Sequence, residues 1–231
     1  MSPSNDWREE AKKATATETL KKIKDGQIIG LGSGSTVAYA IKELGNKIRN
    51  EKLDILCVPS SYQSMFLAIE SGIRLTTLDE NPELDLAIDG ADQVSKDLEL
   101  IKGGGAALTR EKIVDSAAKE MLVMVDESKL TSRLGIPVPL EILPFAVKTV
   151  MKNIQKIGGR PILRGTAGKV GPIITDNNNF IVDADFGYIN EPRNLENRLK
   201  LIPGLIETGL FIDMAKEVYV GSKKGVRILK K

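Results

Sequence analysis

Gln27-Ile28-Ile29-Gly30-Leu31-Gly32-Ser33-Gly34-Ser35-Thr36 carries the chain from a short apolar run into a helical pattern through a turn of glycines and hydroxyl residues. Gln27 to Leu31 reads as a strand and Thr36 to Arg49 as a helix. Strand, glycine turn and helix in that order are the opening of a parallel α/β sheet. The pattern repeats outward from this stretch. Upstream, Trp7 to Lys24 reads as a helix. Downstream, Leu53 to Val58 is a strand, Tyr62 to Glu70 a helix, and Leu84 to Ile88 a strand ending at Asp89-Gly90. Leu98 to Ile101 (strand), Ala106 to Lys119 (helix) and Met121 to Val125 (strand) follow. Strands that are apolar along their whole length imply a mainly parallel sheet covered on both faces.

The pattern changes after about Leu134. Pro137 to Leu143 reads as a strand, Pro144 to Ile157 as a helix and Pro161 to Arg164 as a strand. Ile173-Ile174 and Phe180 to Val182 flank Asp176-Asn177-Asn178-Asn179, a hairpin tip by its turn residues. Leu195 to Leu201 is helical, stopped by Pro203-Gly204, and Leu205 to Phe211 returns to strand. This β-α-β-β-α-β order fits a ferredoxin-like α+β plan. Glu217 to Leu229 reads as two short strands around Ser222-Lys223-Lys224-Gly225. The expected organisation is α/β: a sheet domain from residues 1–134 and 207–231, with a smaller α+β domain at 135–206.

Composition narrows the chemistry. The 33 basic and 31 acidic residues are interspersed, so no basic patch argues for nucleic acid. No apolar run reaches the ~18 residues of a spanning helix, and the N-terminus lacks the apolar core of a signal peptide. The expected location is therefore cytoplasmic, away from the membrane. Cys57 is the only cysteine, which rules out an internal disulfide and a cysteine-rich metal site; in Leu53-Asp54-Ile55-Leu56-Cys57-Val58 it reads as a core residue. The 231 residues include no histidine. Every Ser-His or Cys-His pairing is thereby removed, and acid–base work falls to carboxylates, lysine or tyrosine.

Four stretches can carry chemistry. At the first glycine turn, a helix N-terminus and the hydroxyls of Ser33, Ser35 and Thr36 suit an anion, above all a monophosphate. No lysine precedes Ser35-Thr36, so this is not a Walker A loop; Ser35 also stands where the dinucleotide fingerprint wants its third glycine. Asp89-Gly90-Ala91-Asp92 sets two carboxylates at a strand's carboxyl end, where they can orient sugar hydroxyls. Ile101-Lys102-Gly103-Gly104-Gly105-Ala106-Ala107-Leu108-Thr109-Arg110-Glu111-Lys112 puts a lysine and a glutamate on either side of three glycines, which are costly to order and mark a sharp turn or a close approach. Glu111 shares a helix face with Ala107, Val114 and Ala118, so partial desolvation would make it a better base. Arg110 and Lys112 read as solvated charges. Lys102 can oppose a developing oxyanion. Lys12, Lys13 and Lys129 are cations that could reach a phosphate.

These motifs together resemble the A-type ribose-5-phosphate isomerases. The likeness rests on Gly32 to Thr36, on Asp89 to Asp92 and on Lys102 to Lys112. Weaker echoes are Ser128-Lys129, Gly158-Gly159-Arg160-Pro161, Thr175-Asp176-Asn177, and Ile202-Pro203-Gly204 followed by Thr208 to Phe211. The resemblance implies a Rossmann-like domain with a smaller ferredoxin-like one, and a homodimer or homotetramer. It implies interconversion of ribose 5-phosphate and ribulose 5-phosphate without metal or cofactor. By position Glu111 matches the family's base, and Asp89, Asp92 and Lys102 its other site residues. Ser33, Gly34, Ser35 and Thr36, the glycines 103–105 (Gly103, Gly104, Gly105), Lys129 and Lys12 match its substrate-binding positions. Ser33 replaces the usual threonine, and Gln93 stands where an acidic residue is usual. Two other readings fit the residues. A sugar-phosphate sensor of similar fold would carry a helix-turn-helix, for which the segment before Gln27 is too short. A related deaminase would use histidine, whereas a CoA transferase could use Glu111 as its acyl acceptor.

Overall fold

The computed structural model describes residues 7–166 and 168–231. In chain order its elements are α1 (Trp7–Leu20), β1 (Ile28–Leu31), α2 (Ser35–Glu51), β2 (Leu56–Pro59), α3 (Tyr62–Glu70), β3 (Leu86–Gly90), β4 (Gln93–Val94), β5 (Leu100–Ile101), α4 (Leu108–Ala117) and β6 (Met121–Asp126). A 3-10 turn at Glu127–Lys129 leads to β7 (Val138–Ile142), and a second at Pro144–Ala146 runs into α5 (Val147–Lys156). Then come β8 (Arg160–Leu163), β9 (Gly165–Thr166), β10 (Lys169–Pro172), β11 (Phe180–Asp185), α6 (Pro192–Lys200), β12 (Leu205–Thr208), β13 (Leu210–Phe211), β14 (Ala215–Ser222) and β15 (Gly225–Lys230). None of the described helices is long and apolar enough to cross a membrane.

The chain packs as two compact units. The first comprises the chain up to Gly90, Ile113–Leu130 and Met214–Lys231; the second comprises Ala91–Lys112 and Thr131–Asp213. The sequence expectation drew the line at residues 134 and 207, whereas here residues 91–112, 131–134 and 207–213 group with the second unit.

The first unit is Rossmann-like. Its six-stranded sheet has the order β15-β14-β6-β3-β1-β2, parallel throughout except for β15, which runs antiparallel to β14. All six residues of β6 are buried, as a strand covered on both faces requires. Ala16 and Leu20 of α1 and Val37, Ile41 and Leu44 of α2 pack with Ile29, Leu31, Ile88, Leu122 and Met124 of the sheet. Each of the larger side chains, Ala16 aside, contributes about 1.5–3 kcal/mol by leaving water. Cys57 is fully buried in this core, and burial pushes its thiol up to about 12. At the sheet's far end Glu217 accepts from Tyr219 at 2.7 Å, Lys22 at 3.1 Å and Lys230 at 2.8 Å. Burial alone would raise its carboxyl, but these three partners outweigh it and hold it at about 2.

In the second unit β7, α5, β8, β11, α6 and β12 follow the expected β-α-β-β-α-β order and form an antiparallel sheet, β12-β7-β11-β8. Val150 and Ile154 of α5 and Leu195 and Leu199 of α6 close over Val138, Leu140, Ile142, Val182 and Ala184. The single strand expected from Leu205 to Phe211 is two. β12 pairs with β7, while β13 pairs with β5 in a small sheet ordered β13-β5-β4. The break falls at Gly209, which donates to the Pro139 carbonyl at 2.7 Å and accepts from the Lys102 N–H at 2.9 Å. A Cβ there would stand 2.3 Å from the Lys102 carbonyl oxygen.

Candidate active site

In the first unit, β1 pairs with β2 on one side and β3 on the other, so the strand order reverses there. In open α/β sheets ligands bind outside the carboxyl ends of strands at such a reversal. Gly32, Ser33 and Gly34 leave β1 at that end, and Asp89, the penultimate residue of β3, lies beside them. The Gly32 N–H donates to the Ile88 carbonyl at 2.9 Å. Asp89 is fully buried, and its Oδ1 accepts from the N–H groups of Ser33 at 3.2 Å and Gly90 at 2.6 Å. A Cβ on Gly32 would lie 2.0 Å from the Asp89 carboxyl carbon. This glycine therefore makes room for a carboxylate of the protein itself.

The hydroxyl set is larger than the sequence suggested. Ser33 Oγ lies 3.0 Å from Ser60 Oγ and donates to Ser61 Oγ at 2.7 Å, while Ser61 caps α3 reciprocally with Ser64. Gln63 accepts the Gly34 N–H at 2.9 Å. Ser35 opens α2 and is exposed, and Thr36 is half-buried. The N–H groups of that first turn present the positive end of a 17-residue helix. Lys129 closes the 3-10 turn after β6, the neighbour of β3, and is half-buried at the same edge of the sheet. Lys12 is engaged by Glu9 at 2.7 Å; this bond and the Tyr39 hydroxyl hold the Glu9 carboxyl below its ordinary value. Lys13 lies 5.4 Å from the centre of the Tyr39 ring.

The second unit holds the other cluster. Lys102 follows β5 and is 2% exposed, and Glu111, in the first turn of α4, is 5% exposed. Lys102 Nζ stands 3.4 Å from Glu111 Oε2 and 5.2 Å from the centre of the Phe211 ring. The glutamate is thus well inside, beyond the stripe edge expected of it, with a cation beside it. Gly103 has φ +104°, and a Cβ on it would meet Leu108 at 2.7 Å and Pro139 at 2.9 Å. The Gly104 N–H donates to Asp92 Oδ2 at 2.7 Å. Asp92, at the head of β4, is half-buried. Gly104 and Gly105 are exposed. Arg164 donates to the carbonyls of Gly103 at 2.8 Å and Gly104 at 3.2 Å.

Two expectations are corrected here. Lys112 is not a solvated charge: it is 9% exposed and donates to Glu196 and Glu207, each at 2.9 Å, and to Thr208 at 3.2 Å. Burial alone would raise Glu207, but Lys112 and Lys200 outweigh it and keep its carboxyl below the ordinary value. Arg110 donates to Asn177 Oδ1 and the Asp176 carbonyl, both at 2.7 Å. That tip is itself anchored, since Thr175, Asn177 and Asn179 all donate to Oε1 of the fully buried Glu141. Gln93 accepts the N–H groups of Gly135 at 2.8 Å and Ile136 at 3.2 Å, so what this position supplies is an acceptor for backbone. Among the described residues no group of three or more acidic or thiol side chains has the geometry of a metal site.

A Rossmann-like sheet with a glycine- and serine-rich turn, a ferredoxin-like unit and a buried carboxylate–ammonium pair fit the class of α/β isomerases. Comparison with known proteins makes that class specific. The family model of ribose 5-phosphate isomerase A (phosphoriboisomerase A) matches residues 56–225, and the chain belongs to that family. A ribose-5-phosphate isomerase A of Methanosarcina acetivorans is 53% identical over 214 residues, covering 93% of this chain and 91% of the relative. One from Methanothermobacter thermautotrophicus is 50% identical, covering 95% and 97%. Among solved structures, ribose 5-phosphate isomerase A of Methanocaldococcus jannaschii superposes with a TM-score of 0.93 at 46% identity, covering 96% of this chain and 99% of that one. A D-ribose-5-phosphate isomerase in complex with phospho-erythronic acid gives 0.94 at 47% identity, covering 97% and 99%.

Proposed function

We propose that this chain interconverts D-ribose 5-phosphate and D-ribulose 5-phosphate through a cis-enediolate, with Glu111 as the base. The observation that carries the reading is the buried Lys102–Glu111 pair at the glycine turn. Glu111 takes the proton from C2 of the open-chain aldose and returns it to C1, so one carboxylate serves both half-reactions. Charge builds on the sugar oxygens between the two transfers, and the Lys102 ammonium opposes it where little water competes. Asp92, half-buried and held by the Gly104 N–H, binds sugar hydroxyls and assists ring opening. Asp89 is fully buried beside Gly32 and acts by fixing the Ser33 turn. Ser33, Ser35, Thr36 and the first amides of α2 bind the phosphate, whose remote binding energy holds C2 for the transfer. Lys129 adds a cation, and Lys12 adds another by exchanging Glu9 for the ligand.

The same reading carries a cytoplasmic homodimer or homotetramer, whose subunit number light scattering reads. The decisive experiment feeds purified protein ribose 5-phosphate and follows ketose formation. Wild type forms ribulose 5-phosphate, while Glu111→Gln loses at least ~10²-fold in kcat, the low end for removing a general base. No ketose from wild type, or near-normal turnover by folded Glu111→Gln, refutes the assignment.

A further inference from the structure

Arg164 lies some sixty residues from the glycine turn in sequence, yet its guanidinium grips that turn. Its Nε donates to Asp183 Oδ2 at 2.8 Å and its Nη2 to Asp183 Oδ1, a forked pair that fixes the plane of the guanidinium. The remaining nitrogen, Nη1, donates to two successive carbonyls, Gly103 at 2.8 Å and Gly104 at 3.2 Å. A trans peptide points its N–H opposite its C=O. Anchoring both carbonyls on one side therefore aims two N–H groups at the other. The first, of Gly104, is taken by Asp92 Oδ2 at 2.7 Å. The second, of Gly105, has no acceptor among the described residues. Gly105 is exposed, with nothing within 4 Å of where a Cβ would stand.

We propose that Arg164, locked by Asp183, is a positioning residue: it orients the glycine turn so that Gly104 N–H holds Asp92 and Gly105 N–H is presented to an anionic substrate oxygen. The proposal rests on the isomerase reading and deepens it. A backbone donor set in advance costs no reorganisation when charge develops, so its contribution falls on the charged state more than on the neutral sugar. The positive guanidinium on the far side of both peptides further polarises their N–H groups. Lysine could reach one carbonyl as a point charge, but it could not make the fork and the bridge together.

The experiment compares wild type, Arg164→Gln, Arg164→Lys and Asp183→Asn for ketose formation and for inhibition by phospho-erythronate, whose carboxylate is a stable anion. Rates are expressed per folded molecule. Arg164→Gln is expected to lower kcat at least tenfold while KM for ribose 5-phosphate changes less than threefold. The inhibition constant for phospho-erythronate should weaken roughly in step with the loss in kcat/KM. Arg164→Lys should recover part of the loss, and Asp183→Asn, which keeps the guanidinium but loosens it, should fall between. If Arg164→Gln does not fold, the other two variants decide by the same split. Unchanged kcat in folded variants, or equal weakening of substrate and phospho-erythronate, overturns the proposal while leaving the isomerase reading intact. Failure of wild type to isomerise ribose 5-phosphate overturns both.

Discussion

Replacing one member of the Lys102–Glu111 pair should cost far more stability than replacing both. Lys102 is 2% and Glu111 5% exposed, so each variant removes an opposite charge from beside a buried one. Removing one partner of a buried pair costs about 3–5 kcal/mol. Lys102→Met should lie in that range. Glu111→Leu should cost less, because the ammonium keeps the Phe211 ring at 5.2 Å. A desolvated cation–π contact is worth about 2 kcal/mol, which brings the expected loss to roughly 1–3 kcal/mol. The double variant Lys102→Met/Glu111→Leu replaces both charges with apolar side chains of similar size and should fall within about 1 kcal/mol of wild type. The coupling energy is then several kcal/mol. Urea unfolding with an unchanged slope reads all four proteins, and ketose formation run on the same samples shows whether the restored stability stays inactive. A double variant as unstable as the sum of the singles would refute the reasoning, because the pair would then not act as a unit.

Gly32→Ala drives its Cβ into the Asp89 carboxyl, 2.0 Å away, and forces that group off the N–H of Ser33 and Gly90. Charged hydrogen bonds contribute about 1.5–3 kcal/mol each, so a loss of at least ~3 kcal/mol is expected in urea melts; a change under 1 kcal/mol would mean the carboxylate moves freely. Ser35→Ala should raise KM more than it lowers kcat in steady-state assays, and the reverse pattern would take the phosphate away from this turn. The Cys57 thiol, buried and pushed up to about 12, should react with a thiol reagent only as fast as the protein opens. Reaction at the rate of a free cysteine would contradict its position. Glu217 is held at about 2 against an ordinary 4.5, so its stabilising contribution is complete above about pH 4.5 and fades as pH falls towards 2. The stability gap between wild type and Glu217→Gln should shrink across that window, and a gap independent of pH would exclude the linkage.

The parallel sheet was legible because each strand announces itself as an apolar run meeting glycine or aspartate at its carboxyl end. Tyr62–Glu70 emerged with the bounds its pattern suggested. What escaped depends on partners remote in sequence. Lys112 looks solvated on its own helix, and only Glu196 and Glu207, 84 and 95 residues away, make it a buried anchor. Arg164 meets Gly103 across 61 residues, and nothing local marks either as the other's partner. Gly209 splits a run of strand formers because the Lys102 carbonyl passes too close for any side chain. Ser61 could have been noticed, since a serine just ahead of an apolar helix is a preferred N-cap. In the candidate site the residue types were readable, whereas the clamp behind them was not.

Strand β6 has a consequence for how the protein is made. It lies between β3 and β14, and β14 leaves the ribosome only after residues 131–213 have been synthesised. Throughout that interval Met121-Leu122-Val123-Met124-Val125 presents an apolar strand edge with no neighbour on one side, the kind of segment that pairs with other chains. The nascent chain is therefore most vulnerable to aggregation late in translation, and shortening it before Ala215 should leave a product that depends on chaperones.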